Sequence, residues 1–148
     1  MSIIDPVVWE IHQVLTQFNL PYAIIGGTAV QYWGEPRFTK LVKTSSGYPV
    51  DMSFGLPGYE EQVISRSVDH KLSPRKSVKI CSAEDLIIYK AIAGRVQDVQ
   101  DIEGVIVRQG NRLDTPYIRQ WLSAFAELLE SSEVSQRFEQ AWRKYQSR

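Results

Sequence analysis

Apolar residues near the start of the chain recur with the spacing of a helix. The positions that share one face are Val7, Val8, Ile11, Val14, Leu15 and Phe18. Asp5 and Pro6 predict the start of this helix, because an aspartate caps the first turn and proline is tolerated within it. Pro21 predicts that the helix ends before it. The chain therefore opens with an amphipathic helix.

A short, fully apolar run from Tyr22 to Ile25 is typical of a buried strand. It passes through Gly26 and Gly27 into a predicted helix from Thr28 to Trp33. Backbone amides at such a turn face outward, and glycine allows a phosphate to approach them closely. The pattern thus predicts a turn suited to holding a phosphate. A tight turn at positive φ that binds nothing is the other interpretation of the same glycines.

The remaining pattern separates strands from helices along the chain. Residues 38–43 and 48–54 predict two strands, and 68–72 and 78–81 predict two more. A short helix is expected over 60–65, and from Ser82 onward every apolar repeat is helical. Strands in the first half and helices in the second indicate an α+β fold. We expect a single domain over 1–148, with a sheet part at 1–81 and a helical part at 82–148.

Composition narrows the classes of function. The 148 residues carry 17 basic and 17 acidic side chains and a formal net charge of zero. A neutral chain has no overall field to attract nucleic acid or a membrane, so such binding requires a local patch. The single cysteine, Cys81, excludes an internal disulfide and predicts a buried thiol. Without a signal-like or bilayer-length apolar stretch, the expected location is cytoplasmic and no membrane partner is expected.

Three segments, taken in order, resemble the nucleotidyltransferase-like superfamily. Residues 25–40 (IGGTAVQYWGEPRFTK) are similar to its opening motif, and 48–55 (YPVDMSFG) to its third motif. Residues 82–101 (SAEDLIIYKAIAGRVQDVQD) are similar to the helical motif of one bacterial branch. That branch is the AbiEii-type toxin and MNT-like branch of toxin–antitoxin systems. The resemblance covers about residues 10 to 110 and implies a small mixed sheet of the nucleotidyltransferase type.

The resemblance implies transfer of a nucleotidyl group from a nucleoside triphosphate with Mg²⁺. It places Gly26, Gly27, Thr28 and Lys40 at the phosphates, with Lys90 and Arg95 near them and Asp98 and Asp101 holding or positioning them. Read without the family, the residues from Lys90 to Asp101 have a simpler interpretation. Basic residues complement the dipole at the end of one helix, and acidic residues begin the next.

The sequence departs from the family where the metal ions should bind. The family places an Asp-x-Asp pair after its Thr-Lys, whereas Leu41 and Lys43 stand there in this chain. Residues 44–47 replace a helix, as an internal deletion would. Asp51, which matches the third family aspartate, is the remaining candidate for catalysis and metal binding. One carboxylate cannot neutralise two Mg²⁺ ions, and Asp51 is equally interpreted as a solvated acid on an edge strand.

Three functional hypotheses follow. The first is a catalytically impaired nucleotidyltransferase-like protein that keeps a phosphate-binding turn or a partner-binding role in a toxin–antitoxin-type system. The second is an active enzyme with a rearranged site of Asp51, Lys90 and Asp98, using Mg²⁺ and a nucleoside triphosphate on an RNA or protein acceptor. The third is a structural or oligomerising module without a ligand. The candidate partners are accordingly a nucleotide, a protein, a second copy of the chain or an RNA.

Overall fold

The computed structural model describes residues 5–34 and 58–148. Within these ranges the chain forms seven α-helices and one two-stranded antiparallel sheet, which confirms the α+β class. The elements are α1 (Asp5–Gln17), α2 (Gly27–Trp33), α3 (Tyr59–Ser65), β1 (Val68–Ser73), β2 (Lys76–Ile80), α4 (Ala83–Ala93), α5 (Val96–Gln109), α6 (Thr115–Leu128) and α7 (Glu133–Gln146). The strands predicted over 38–43 and 48–54 lie outside the described residues. None of the described helices is long and apolar enough to cross a membrane.

The described chain divides into two units. The first contains residues 5–24 and 58–81 and is built on the hairpin of β1 and β2. Val68 lies opposite Ile80 in the register, and the pairing is irregular between Lys71 and Ser73. Helix α1 packs against β2, whose Val78 and Ile80 are buried. The strands predicted over 68–72 and 78–81 are thus present as one antiparallel hairpin.

The apolar run from Tyr22 to Ile25 does not form the predicted buried strand. Only Ile24 pairs, in a parallel bridge to Ile80, and Ile25 is 43% exposed. The Ile24 amide donates to Lys79 O at 2.9 Å, and the Cys81 amide donates to Ile24 O at 2.9 Å. Pro21, which lacks an N–H, precedes this bridge, and Gly26 begins the turn into α2. Within the described residues the run therefore contributes one paired residue instead of a ladder.

The second unit contains residues 25–34 and 82–148 and is helical. Helix α4 packs against α2, α5, α6 and α7. Seven of the eleven residues of α4 are buried, and these include the charged side chains of Asp85 and Lys90. The core contributed by α4 and its neighbours consists of Leu86, Ile87, Ile88, Ile102, Ile106, Ile118, Leu122 and Phe138.

Local capping residues set the ends of these helices. Ser82 Oγ accepts the Asp85 amide at 3.1 Å at the start of α4. At the start of α6, the Asp114 carboxylate accepts the Tyr117 amide at 3.1 Å. Gly94 ends α4 in the left-handed conformation, with φ 66°.

Two side chains of α5 hold the C-terminal end of α2. Arg108 Nη1 donates to Gly34 O at 2.6 Å, and Gln109 Nε2 donates to Trp33 O at 3.1 Å. Carbonyls at a helix end have no partner inside the helix, so these bonds satisfy groups that would otherwise require water. The position of α2 in the second unit therefore depends on α5.

Gly94→Ala is predicted to destabilise the fold. The left-handed conformation costs an L-residue about 1–2 kcal/mol. An added Cβ would also lie 2.3 Å from Cζ of Arg137, a side chain that donates to Ala91 O at 2.7 Å. We expect the free energy of unfolding, measured by urea denaturation, to fall by more than the backbone strain alone.

Repeating the substitution in an Arg137→Ala background separates the two contributions. Without the guanidinium, Gly94→Ala should cost only the backbone strain. An equal cost in both backgrounds would show that Arg137 does not constrain this position.

Candidate functional site

Gly26 has a positive φ, a backbone conformation that residues with a side chain rarely adopt. It is the N-cap of α2, with φ 82° and ψ −142°, and as a glycine it makes no side-chain capping bond. A Cβ placed at Gly26 would have no atom of the described residues within 4 Å. Gly27 and Thr28 form the first turn of α2. The amides of a first helical turn have no partner inside the helix, so this turn can offer donors to an anion.

Lys90, in the last turn of α4, is buried with its charge paired. Its Nζ lies 2.9 Å from Oδ1 of Asp98 and 2.9 Å from Oδ2 of Asp101. Both aspartates are buried on one face of α5, one helical turn apart. The ammonium thus connects α4 to α5 through two carboxylates.

Arg95 completes the environment of Asp98. Its Nε donates to Oδ2 of Asp98 at 2.7 Å, its Nη2 to Oδ1 at 3.3 Å, and its backbone amide to Oδ2 at 3.1 Å. The Asp98 carboxylate therefore accepts bonds from two side chains and one amide, while the Arg95 side chain stays 75% exposed. The sequence analysis grouped Lys90, Arg95, Asp98 and Asp101, and the structure brings all four together.

The Asp98 carboxyl remains ionised despite its burial. Burial raises the pKa of Asp98, but hydrogen bonds from Arg95 and Lys90 outweigh it and lower the pKa to about 2. The hydrogen bond to Asp98 in turn raises the pKa of Arg95. Asp98 is consequently a weak base, and its charge is available to hold both cations at neutral pH.

This arrangement limits what each group can do chemically. The charge of Lys90 is already matched by two carboxylates, so its ammonium has little net charge to offer a phosphate. Arg95 keeps its Nη1 donors, which form no hydrogen bond within the described part of the chain. Over residues 5–34 and 58–148, no three His, Cys, Asp or Glu side chains are grouped as a metal site.

Lys40 and Asp51 lie outside the described residues, as do Leu41 and Lys43. The phosphate-binding role of Lys40 therefore stays a prediction. The same holds for the catalytic and metal-binding role of Asp51.

A third buried carboxylate, Asp85, has a partner that was not expected from the sequence. Ser82 Oγ donates to its Oδ2 at 2.7 Å, and Tyr117 Oη donates to its Oδ1 at 2.7 Å. The bond to Ser82 follows from helix-capping spacing, whereas Tyr117 is 32 residues away on α6. No local pattern signals that contact. Cys81 is a buried thiol, as predicted.

No protein-family model matches this sequence, and the search of curated proteins finds no match.

Lys90→Met is predicted to destabilise the protein strongly. Removing one partner of a buried ion pair leaves uncompensated charge and typically costs about 3–5 kcal/mol. The change removes the ammonium between Asp98 and Asp101 while keeping most of the side-chain volume. Urea unfolding at neutral pH measures the loss.

Lys144→Met is the matched control. Lys144 pairs with Glu103 at 2.8 Å, but its side chain is 58% exposed, and exposed pairs contribute about 0–1 kcal/mol. Similar losses for the two variants would contradict a special role for the buried lysine.

Asp98→Asn is predicted to change how the free energy of unfolding depends on pH. The pKa of Asp98 in the folded state lies below its ordinary 3.8, so the ionised carboxylate stabilises the fold above that value. This contribution is lost as the pH falls from 3.8 to about 2. The stability difference between wild type and Asp98→Asn should therefore be largest near neutral pH and shrink with acidification.

Urea titrations from about pH 7 to about pH 3 test this, with Asp69→Asn as the reference. Asp69 pairs with Lys79 at 3.0 Å but is 68% exposed, so its substitution should give a small difference at every pH. A constant gap between wild type and Asp98→Asn would refute the lowered pKa.

Proposed function

We propose that this chain is a nucleotidyltransferase-like protein that has lost metal-dependent catalysis and binds nucleotide phosphates at the turn from Gly26 to Thr28. The observation that carries the proposal is Gly26 itself. It combines a positive φ, open space around the position of a Cβ and an N-cap without a side-chain cap. Phosphate oxygens are the ligands that such a turn favours.

The ion network of Lys90, Asp98 and Asp101 has a positioning role in this proposal. It fixes α5 against α4, and α5 holds the far end of α2 through Arg108. Arg95, with its exposed guanidinium, is the member of the network that can still donate to an anion. The remaining elements of a nucleotidyltransferase-type sheet are proposed for residues 38–54, on the resemblance alone.

Loss of catalysis rests on the sequence and on the state of Asp98. Leu41 and Lys43 replace the paired aspartates, which leaves Asp51 without a second metal-binding acid from that motif. A carboxyl with a pKa of about 2 is a poor general base. Both points argue against a rearranged active site that uses Asp98.

A structural module without a ligand is the second candidate. Lys90 favours it, because its charge is neutralised by Asp98 and Asp101 inside the protein. Such a module could serve a protein partner of a toxin–antitoxin-type system or a second copy of the chain. It differs from the first proposal in one respect: nucleoside triphosphates would not stabilise it.

Nucleoside triphosphates are predicted to raise the melting temperature of the wild-type protein. A ligand at about 100 times its dissociation constant adds about 2.7 kcal/mol to the free energy of unfolding. We expect the shift to persist with EDTA, because the proposed site holds phosphate with backbone amides. Gly26→Ala should abolish it by placing a methyl group where the phosphate approaches.

Gly58→Ala is a closely matched control. Gly58 also has a positive φ, 111°, with no atom within 4 Å of a Cβ, and it also caps a seven-residue helix. It should lose similar intrinsic stability and keep the nucleotide-dependent shift. Absence of any shift in the wild type would favour the structural module. Transfer of labelled nucleotide that disappears in Asp51→Ala would refute the loss of catalysis.

A further inference from the structure

The β1–β2 hairpin carries a concentration of basic side chains. Lys71, Arg75 and Lys76 are exposed, and the Lys79 side chain is 44% exposed. We call these four residues the basic hairpin surface. They lie within nine consecutive positions of a chain whose formal net charge is zero.

Fewer charges are paired on this surface than across much of the second unit. In that unit Lys90, Arg95, Arg119, Arg137 and Lys144 form ion pairs with carboxylates, whereas the exposed Arg112 and Arg143 pair with none in the described chain. On the hairpin only Lys79 forms such a pair within the described residues, with Asp69.

Lys71 and Arg75 have no carboxylate partner in the described chain, and Lys76 lies over the Trp9 ring, 5.3 Å from its centre. The hairpin thus keeps a local excess of positive charge.

The strand register places part of this charge on one face. Lys79 lies opposite Asp69, and Lys71 lies opposite Ser77. Since side chains alternate across a strand, these residues share the face opposite the buried Val78, whereas Lys76 lies on the Val78 side, beside Trp9. The basic hairpin surface therefore spans both faces of the hairpin at its turn. Six residues of β1 span about 20 Å, which is long enough to follow several backbone phosphates.

We propose that the basic hairpin surface binds the phosphate backbone of single-stranded nucleic acid. Unpaired cations can exchange their counterions for phosphates, which drives such association. The half-buried Trp9 ring lies beside Lys76, and the His12 ring stacks on it with the centroids 4.8 Å apart. When the Lys76 ammonium moves from the ring to a phosphate, a base of a single strand can stack on the ring face that it leaves. The bases of a duplex are already stacked on one another and cannot do so. This inference does not depend on phosphate binding at Gly26.

The hairpin is less suited to a lipid surface. Membrane-surface binding combines basic residues with exposed apolar side chains that insert between lipids. The large exposed apolar residues of the described chain lie elsewhere, at Val14, Phe18, Leu20, Ile25, Tyr32, Val96, Val107, Leu128 and Leu129. None of them belongs to β1, β2 or the turn between them.

Fluorescence anisotropy with a labelled single strand of about 12 nucleotides tests the proposal. Contact with three phosphates predicts a slope of about −2 for log affinity against log salt, or about a twentyfold loss between about 50 and about 200 mM. The variant Lys71→Gln/Arg75→Gln/Lys76→Gln should bind at least about tenfold more weakly at low salt, with a slope near zero. The single variant Arg75→Gln, in the exposed turn, should reduce the slope by about 0.7.

The control variant Arg112→Gln/Arg143→Gln/Lys144→Gln removes the same charge from exposed positions of the second unit. It should bind the strand within about twofold of wild type, since it leaves the hairpin intact. Equal weakening in both triple variants would overturn the proposal by showing a general charge effect. So would equal affinity for a duplex of the same sequence, binding to anionic phospholipid vesicles alone, or no binding to the strand at low salt.

Discussion

The ammonium of Lys90 lies between the carboxylates of Asp98 and Asp101, away from water, and the second unit is organised around this contact. Removing a charge from water costs several kcal/mol, and only close, well-oriented partners offset that cost. Here the partners are two oxygens at 2.9 Å each. Arg95 donates further hydrogen bonds to the Asp98 carboxylate, from its guanidinium and from its backbone amide. These short contacts fix the orientation of the first turns of α5 relative to the end of α4.

Helix α5 also connects this ion network to α2, the helix that begins at the candidate phosphate-binding turn. Helix α5 is tied to α4 near its start and holds the carbonyls of α2 near its end, through Arg108 and Gln109. The N-terminus of α2, with Gly26, is therefore positioned by residues that need not touch a ligand. Under the proposed function, Lys90 and Asp98 persist without the metal-binding acids because they also support the fold.

Sequence reasoning succeeded where the determining contact is local. Ser82 and Gly94 act within one helical turn, so their local pattern predicts the two ends of α4. It failed for Tyr22 to Ile25, because the strand content of an apolar run depends on which neighbour pairs with it, and only Ile24 meets β2. The bond from Tyr117 to Asp85 has no local signal either.

For the candidate site, Lys90 was grouped with Asp98 by the family resemblance, whereas spacing alone favoured a simple pair of helix ends. Neither could show that the lysine is neutralised, because the sequence does not give the distances between charges or their burial. Those two quantities separate the cations of this protein into two kinds. A buried cation such as Lys90 stabilises the fold only through its partners, and those partners cancel its field beyond the contact.

An exposed cation without a carboxylate partner, such as Arg75, contributes little to the fold, because water and salt solvate it in the folded and unfolded states alike. Its field remains available to an outside anion. A net charge of zero therefore does not describe the surface of this protein. Carboxylates such as Asp98 and Asp101 neutralise a cation inside the helical unit. The hairpin has more basic than acidic side chains, and a polyanion can displace the counterions of this local positive excess.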